Sequence, residues 1–157
     1  MVVMSSKWRK SLIQRNRSSS KKGSNEAWCI CFDSTILFDA VAATLKTIAA
    51  DPRHLGGEIG FLAILHTWGQ ALTHHPHIHC LVPGGALADG QRWIACRPRF
   101  FLPIHVLSRL FRRMFLERLE TAHSRGCLRF SGTLAKFDDS DVFAAAVRRL
   151  RRKNWVV

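Results

Sequence analysis

The sequence predicts an α+β fold: an antiparallel sheet carrying the strand around His77-Ile78-His79, with helices packed on one of its faces. Three observations carry this expectation. Two long segments, one on each side of the middle of the chain, repeat their apolar residues at helical spacing. Between them lie short apolar runs bounded by glycine and proline, too short for helices and spaced like strands. Asp89-Gly90, set between two such runs, is a tight hairpin signal.

Residues 1–31 stand apart. Lys7, Arg9, Lys10, Arg15, Arg17, Lys21 and Lys22 are scattered among serines with no stable period, which predicts a disordered basic arm. Residues 32–157 form the predicted domain. In 36–50, Leu37, Val41, Leu45 and Ile48 fall on one helical face; Asp33 or Ser34 can cap the start, and Asp51-Pro52 stops it. The apolar run 61–68 predicts a buried strand. The next, 77–82, alternates: His77 and His79 point one way, Ile78, Cys80 and Val82 the other. Pro83-Gly84-Gly85 closes it, and 86–88 and 92–96 flank the Asp89-Gly90 turn. The middle of the chain is therefore expected to be a meander of three or four strands.

After Pro103 the helical period returns, with Leu107, Leu110, Phe111, Met114 and Phe115 on one broad face, and Gly126 ends it. Residues 127–133 fit a strand or a loop. A last helix over 140–153 turns Phe143, Val147 and Leu150 inward. It gathers Arg148, Arg149, Arg151 and Arg152 at its C-terminal end, where the helix dipole favours cations. Those four arginines are candidate phosphate contacts, against the plainer reading of a solvated helix end. Trp155-Val156-Val157 looks like the opening of another strand, so the sheet is expected to be incomplete.

Composition narrows the partners. A chain of 157 residues suits one domain, and 24 Lys+Arg against 11 Asp+Glu give a net charge of +13. Such an excess favours polyanions. No run approaches the roughly 20 apolar residues that cross a bilayer, and the N-terminus lacks a signal-peptide core, so a cytoplasmic protein with no membrane partner is expected. The five cysteines are odd in number and lack disulfide-framework spacing, which fits reduced thiols. Trp68 and Trp93 can stack on bases, although buried packing is the plainer expectation for both.

Four of the eight histidines lie within 74–79, three of them alternating at His75, His77 and His79. On a strand, His-x-His places two imidazoles on one face, a ready clamp for a divalent metal. His66 and Gln70 share a parity on the preceding strand and are the candidate third ligands. Two imidazoles and one neutral ligand hold Mg²⁺ or Mn²⁺ loosely and Zn²⁺ more tightly.

The stretch Gly60-Phe61-Leu62-Ala63-Ile64-Leu65-His66-Thr67-Trp68-Gly69-Gln70, followed by His75-Pro76-His77-Ile78-His79-Cys80-Leu81-Val82-Pro83, resembles the two-tyrosine rolling-circle transposases of bacterial insertion sequences. These belong to the His-hydrophobe-His endonuclease superfamily. The resemblance runs from about Phe32 to the end. It implies DNA transposition: a Mg²⁺ or Mn²⁺ ion held by His77 and His79, with Gln70 or His66 as third ligand, polarises a phosphate of single-stranded DNA. A tyrosine then attacks that phosphate, and no small-molecule cofactor is implied.

Two departures qualify the resemblance. Members of the family continue past the Trp-Val-Val segment into a region bearing the catalytic tyrosines, and they carry an N-terminal zinc module that 1–31 does not match. The chain contains no tyrosine, so no catalytic nucleophile is assigned and the fragment is expected to be inactive alone. The alternatives are a non-catalytic single-stranded DNA-binding remnant and a histidine-triad nucleotide hydrolase, whose His-x-His-x-His string 75–79 resembles.

Overall fold

The computed structural model describes residues 2–4, 34–68, 74–155 and 157. Its elements are β1 (Val2–Met4), α1 (Ser34–Ala50), β2 (Leu62–Trp68), β3 (His74–Leu81), β4 (Gly85–Ala88), β5 (Arg92–Ala95), α2 (Ile104–Ser124) and α3 (Ser140–Arg151), with a 3-10 helix at Gly132–Asp138 between the last two. The fold is α+β, as expected.

α1 buries the face its spacing marks out: Leu37, Val41, Leu45 and Ile48 are all buried. Thr44 is buried among them; its hydroxyl donates to the Ala40 carbonyl at 2.6 Å and reaches Met114 Sδ on α2 at 3.7 Å. A buried hydroxyl left unpaired costs a few kcal/mol, and the helix-internal bond removes that cost. α2 inserts Leu107, Phe111, Phe115 and Leu116 into the same core. It ends where Gly126 takes φ +66°, a conformation that glycine adopts without strain. α3 starts at Asp139, whose carboxylate accepts from the backbone N–H of Asp141 and Val142, both at 2.9 Å.

The expected meander is corrected. The strands form two sheets, one in the order β1-β3-β2 and one pairing β4 with β5. β2 and β3 pair antiparallel, and Val2–Met4 pair with the other edge of β3, Val3 opposite His79. With both edges of β3 taken, β4 cannot pair with β3 as a meander requires, and Pro83 between them has no N–H to extend a ladder. β4 is bordered instead by β5 and by Glu58, whose backbone exchanges hydrogen bonds with Leu87 at 2.9 and 2.8 Å.

Val2–Met4 also depart from the disordered arm expected over 1–31. Their short apolar sequence finds an open strand edge, while the basic stretch that motivated the expectation lies outside the described residues. The β4–β5 hairpin follows its turn signal. Asp89 and Gly90 take φ of 52° and 72°, and the Gln91 N–H bonds the Ala88 carbonyl at 3.2 Å.

Residues 127–131 are loop. Trp155, expected to open a strand, is not in one: it lies against Phe111 and Phe115, ring centroids 6.0 and 5.9 Å away, and its indole N–H donates to the Leu150 carbonyl at 3.2 Å, while Val156 lies outside the described residues. An indole gains more from an aromatic core that satisfies its one polar atom than from an exposed sheet edge.

Candidate metal centre

β3 is pinned by its inner face. Ile78 and Cys80 are fully buried in the core that α1 and α2 supply, so His77 and His79, one residue out of phase, project from the opposite face of the sheet. β2 adds the third imidazole. In the antiparallel register His66 stands opposite His77 and Ile64 opposite His79, and the ladder becomes irregular just beyond His66, before Trp68. An irregularity of this kind bends a strand and re-aims the side chains next to it.

Ring centroids separate His66 from His79 by 4.3 Å, His77 from His79 by 4.8 Å and His66 from His77 by 5.4 Å. One ligand nitrogen from each residue lies within 4.8 Å of the others. Bound to one ion at about 2.1 Å per bond, such nitrogens sit closer together, within reach of small side-chain rotations. The donor set suits a divalent metal. The three rings converge from two strands, and the His79 imidazole is held below its ordinary pKa, first by burial and then by the positive charge of His66 and His77. A lowered pKa keeps its nitrogen lone pair available near neutral pH.

The surroundings of the triad are apolar and open. Leu62, Ile64 and Leu81 share its face of the sheet and are about half exposed or more. Cys80, on the other face, is no ligand candidate, since burial pushes its thiol up to about 11.

Of the proposed third ligands, His66 joins the cluster, whereas Gln70 lies outside the described residues, as does the side chain of His75. The four arginines are not part of this group. Arg148, Arg149 and Arg151 lie on α3 and Arg152 is its C-cap; the helix packs on α2 and on the 3-10 helix. Arg151 is bound to Glu120 at 2.5 Å, while the exposed Arg148, Arg149 and Arg152 have no side-chain partner among the described residues. The sequence offered no signal for this division, because Glu120 is distant in the chain and only the α2–α3 packing brings it to Arg151.

Helices behind a three-stranded antiparallel sheet, with a histidine triad on its free face, are compatible with the His-hydrophobe-His endonuclease fold. A family model described as "Putative transposase" matches residues 60–157, and the chain belongs to that transposase family. It is 59% identical over 123 residues to a curated protein named "Putative transposase y4qJ" from Sinorhizobium fredii. That match covers 78% of this chain and 31% of the relative, so the chain spans about a third of the relative's length. No solved structure matches. Among the described residues no helix is long and apolar enough to cross a membrane.

Proposed function

We propose that this chain is the metal-holding part of a transposase domain that nicks single-stranded DNA, with Mg²⁺ or Mn²⁺ held by His66, His77 and His79. The observation that carries the reading is the convergence of three imidazoles from two strands onto one free sheet face. When bound, the ion supplies Lewis-acid polarisation of a phosphate oxygen.

The chain's own residues do the rest. Ile78 and Cys80 hold β3 against the core, so the flanking imidazoles are placed without help from a flexible loop. The net charge of +13 draws a polyanion, and Arg148, Arg149 and Arg152 offer exposed cations to its phosphates. With no tyrosine among the 157 residues, a tyrosine attack on the phosphate is not supplied here. The chain by itself therefore binds metal and DNA without forming a covalent DNA link.

A Mn²⁺ titration of the wild type against His77→Ala/His79→Ala tests the reading: the double variant loses the site, and equal affinity in both would sink it. A covalent 5′-DNA adduct on the isolated chain would overturn the second half of the reading. The alternative, a DNA-binding module without metal chemistry, draws on the same basic surface and the same lack of tyrosine; it predicts oligonucleotide binding with no Mn²⁺ site. The histidine-triad hydrolase gains no support, because the imidazole that joins His77 and His79 comes from β2 and the family is one of transposases.

A further inference from the structure

The β4–β5 hairpin exposes an aromatic ring that the core does not claim. Trp93 is 54% exposed, against the plainer expectation of burial. Its position is nevertheless defined on one side. Trp93 is the cross-strand partner of Leu87, and its six-membered ring lies directly over Gly85, where any Cβ would overlap Cζ2 and Cε2. The glycine backbone is thereby buried under the indole. The Cζ2–Cε2 side of the ring lies against a bare peptide while the side chain as a whole stays open to solvent. An indole held against the backbone on one side and open to water on the other offers a flat π-surface on which another ring can stack.

The charge around the ring indicates what that is. Residues 91–100 hold Arg92, Arg97 and Arg99, all exposed, and no acidic residue. Two acidic residues border the hairpin: Asp89 faces Arg92 at 3.6 Å in a loose pair exposed on both sides, and Glu58, also exposed, is bridged through its backbone to Leu87, so three arginines stand against two carboxylates. A turn in which the Phe100 N–H donates to the Arg97 carbonyl at 3.1 Å follows the strand, with Arg99 at φ 60° and Phe100 itself 49% exposed. Positive φ is rare for a residue other than glycine.

We infer that the Trp93 ring of the β4–β5 hairpin is a stacking platform for an unpaired base of single-stranded DNA, with Arg92, Arg97 and Arg99 as contacts to the phosphates beside it. Aromatic faces with interleaved cations are the chemistry that holds unpaired strands, because every base has a π-face and every linkage a negative charge. Duplex DNA offers no free base face and does not use the ring. This inference rests on the single-strand reading above and adds a binding surface distinct from the histidine triad.

The test measures binding of a dye-labelled oligothymidylate by anisotropy at low salt. Trp93→Ala weakens binding about tenfold, Trp93→Phe retains most of it, and affinity for a duplex of the same length is unchanged in both. A second measurement does not depend on how the alanine variant folds. An oligonucleotide of the same length with abasic sugars binds wild type about tenfold more weakly, and Trp93→Ala then causes no further loss. The platform is overturned if Trp93→Ala matches wild type on the single strand, if the loss is equal on duplex, or if the abasic and alanine losses multiply. Should wild type bind the single strand while Trp93→Ala has no effect, the inference fails and the single-strand reading stands. Should wild type bind no oligonucleotide, both fail together.

Discussion

His66 and His77 stand directly opposite each other on β2 and β3, with ring centroids 5.4 Å apart, although ten residues separate them in the chain. In the proposed site this pairing, a matter of register rather than of motif, is what brings His66 to the other two imidazoles. His66→Ala is expected to weaken Mn²⁺ binding by at least about tenfold, while Gln70→Ala leaves it unchanged. Isothermal titration of both variants decides it, and the opposite pattern would remove His66 from the site.

The basic run at the end of α3 is divided by pairing. Replacing Arg148, Arg149 and Arg152 together by glutamine is expected to lower the salt dependence of oligonucleotide binding by up to about three counterions' worth of slope. Arg151→Gln, which breaks the 2.5 Å bond to Glu120, is expected to shift the slope less and to lower thermal stability slightly. Affinity measured across a salt series reads both effects, and identical slopes for all variants would exclude the run from DNA contact.

Cys80 and Cys127 sit at opposite extremes of burial. With its thiol pushed up to about 11, Cys80 stays protonated and covered at mildly alkaline pH, so native alkylation is expected to label Cys127 and spare Cys80 until denaturant is added. Peptide mapping of the labelled protein checks this. Early labelling of Cys80 would mean that β3 is not seated in the core.

Asp51 closes the turn after α1. Its carboxylate accepts from the Arg53 backbone N–H at 2.9 Å and from the guanidinium at 2.7 Å, which holds its pKa down from 3.8 to about 2. A depressed folded-state pKa contributes stability above 3.8, and that contribution is lost as pH falls toward 2. The gap in melting temperature between wild type and Asp51→Asn is therefore expected to be present near neutral pH and to close in acid. A gap independent of pH would assign the effect to something other than this carboxylate.

Phe111 is fully buried between Phe115 and Trp155. Phe111→Ala is expected to destabilise the domain by about 3–5 kcal/mol, read as a fall in the urea midpoint. A change under about 1 kcal/mol would mean that the α2–Trp155 cluster is not part of the cooperative core.

Much of the architecture was legible in local periodicity. The buried face of α1, the face of α2, the Asp89-Gly90 turn and the opposite facing of Ile78 and His79 all follow from residues a few positions apart. The meander was misjudged for a related reason. Periodicity identifies strands, but it does not say which edge is already occupied, and Val2–Met4 occupy the edge of β3 that β4 would need.

By itself, then, the sequence determined which side chains share a face, because the two- and 3.6-residue repeats are properties of the backbone. It also carried the family resemblance through the His66 and His77-Ile78-His79 segments. Only the tertiary structure decided which faces meet: His66 across from His77, Glu120 beside Arg151, Trp155 in the core instead of on a sheet edge, and Trp93 in solvent. Those outcomes depend on competition among distant segments for the same edges and the same core volume, and no local pattern records who wins.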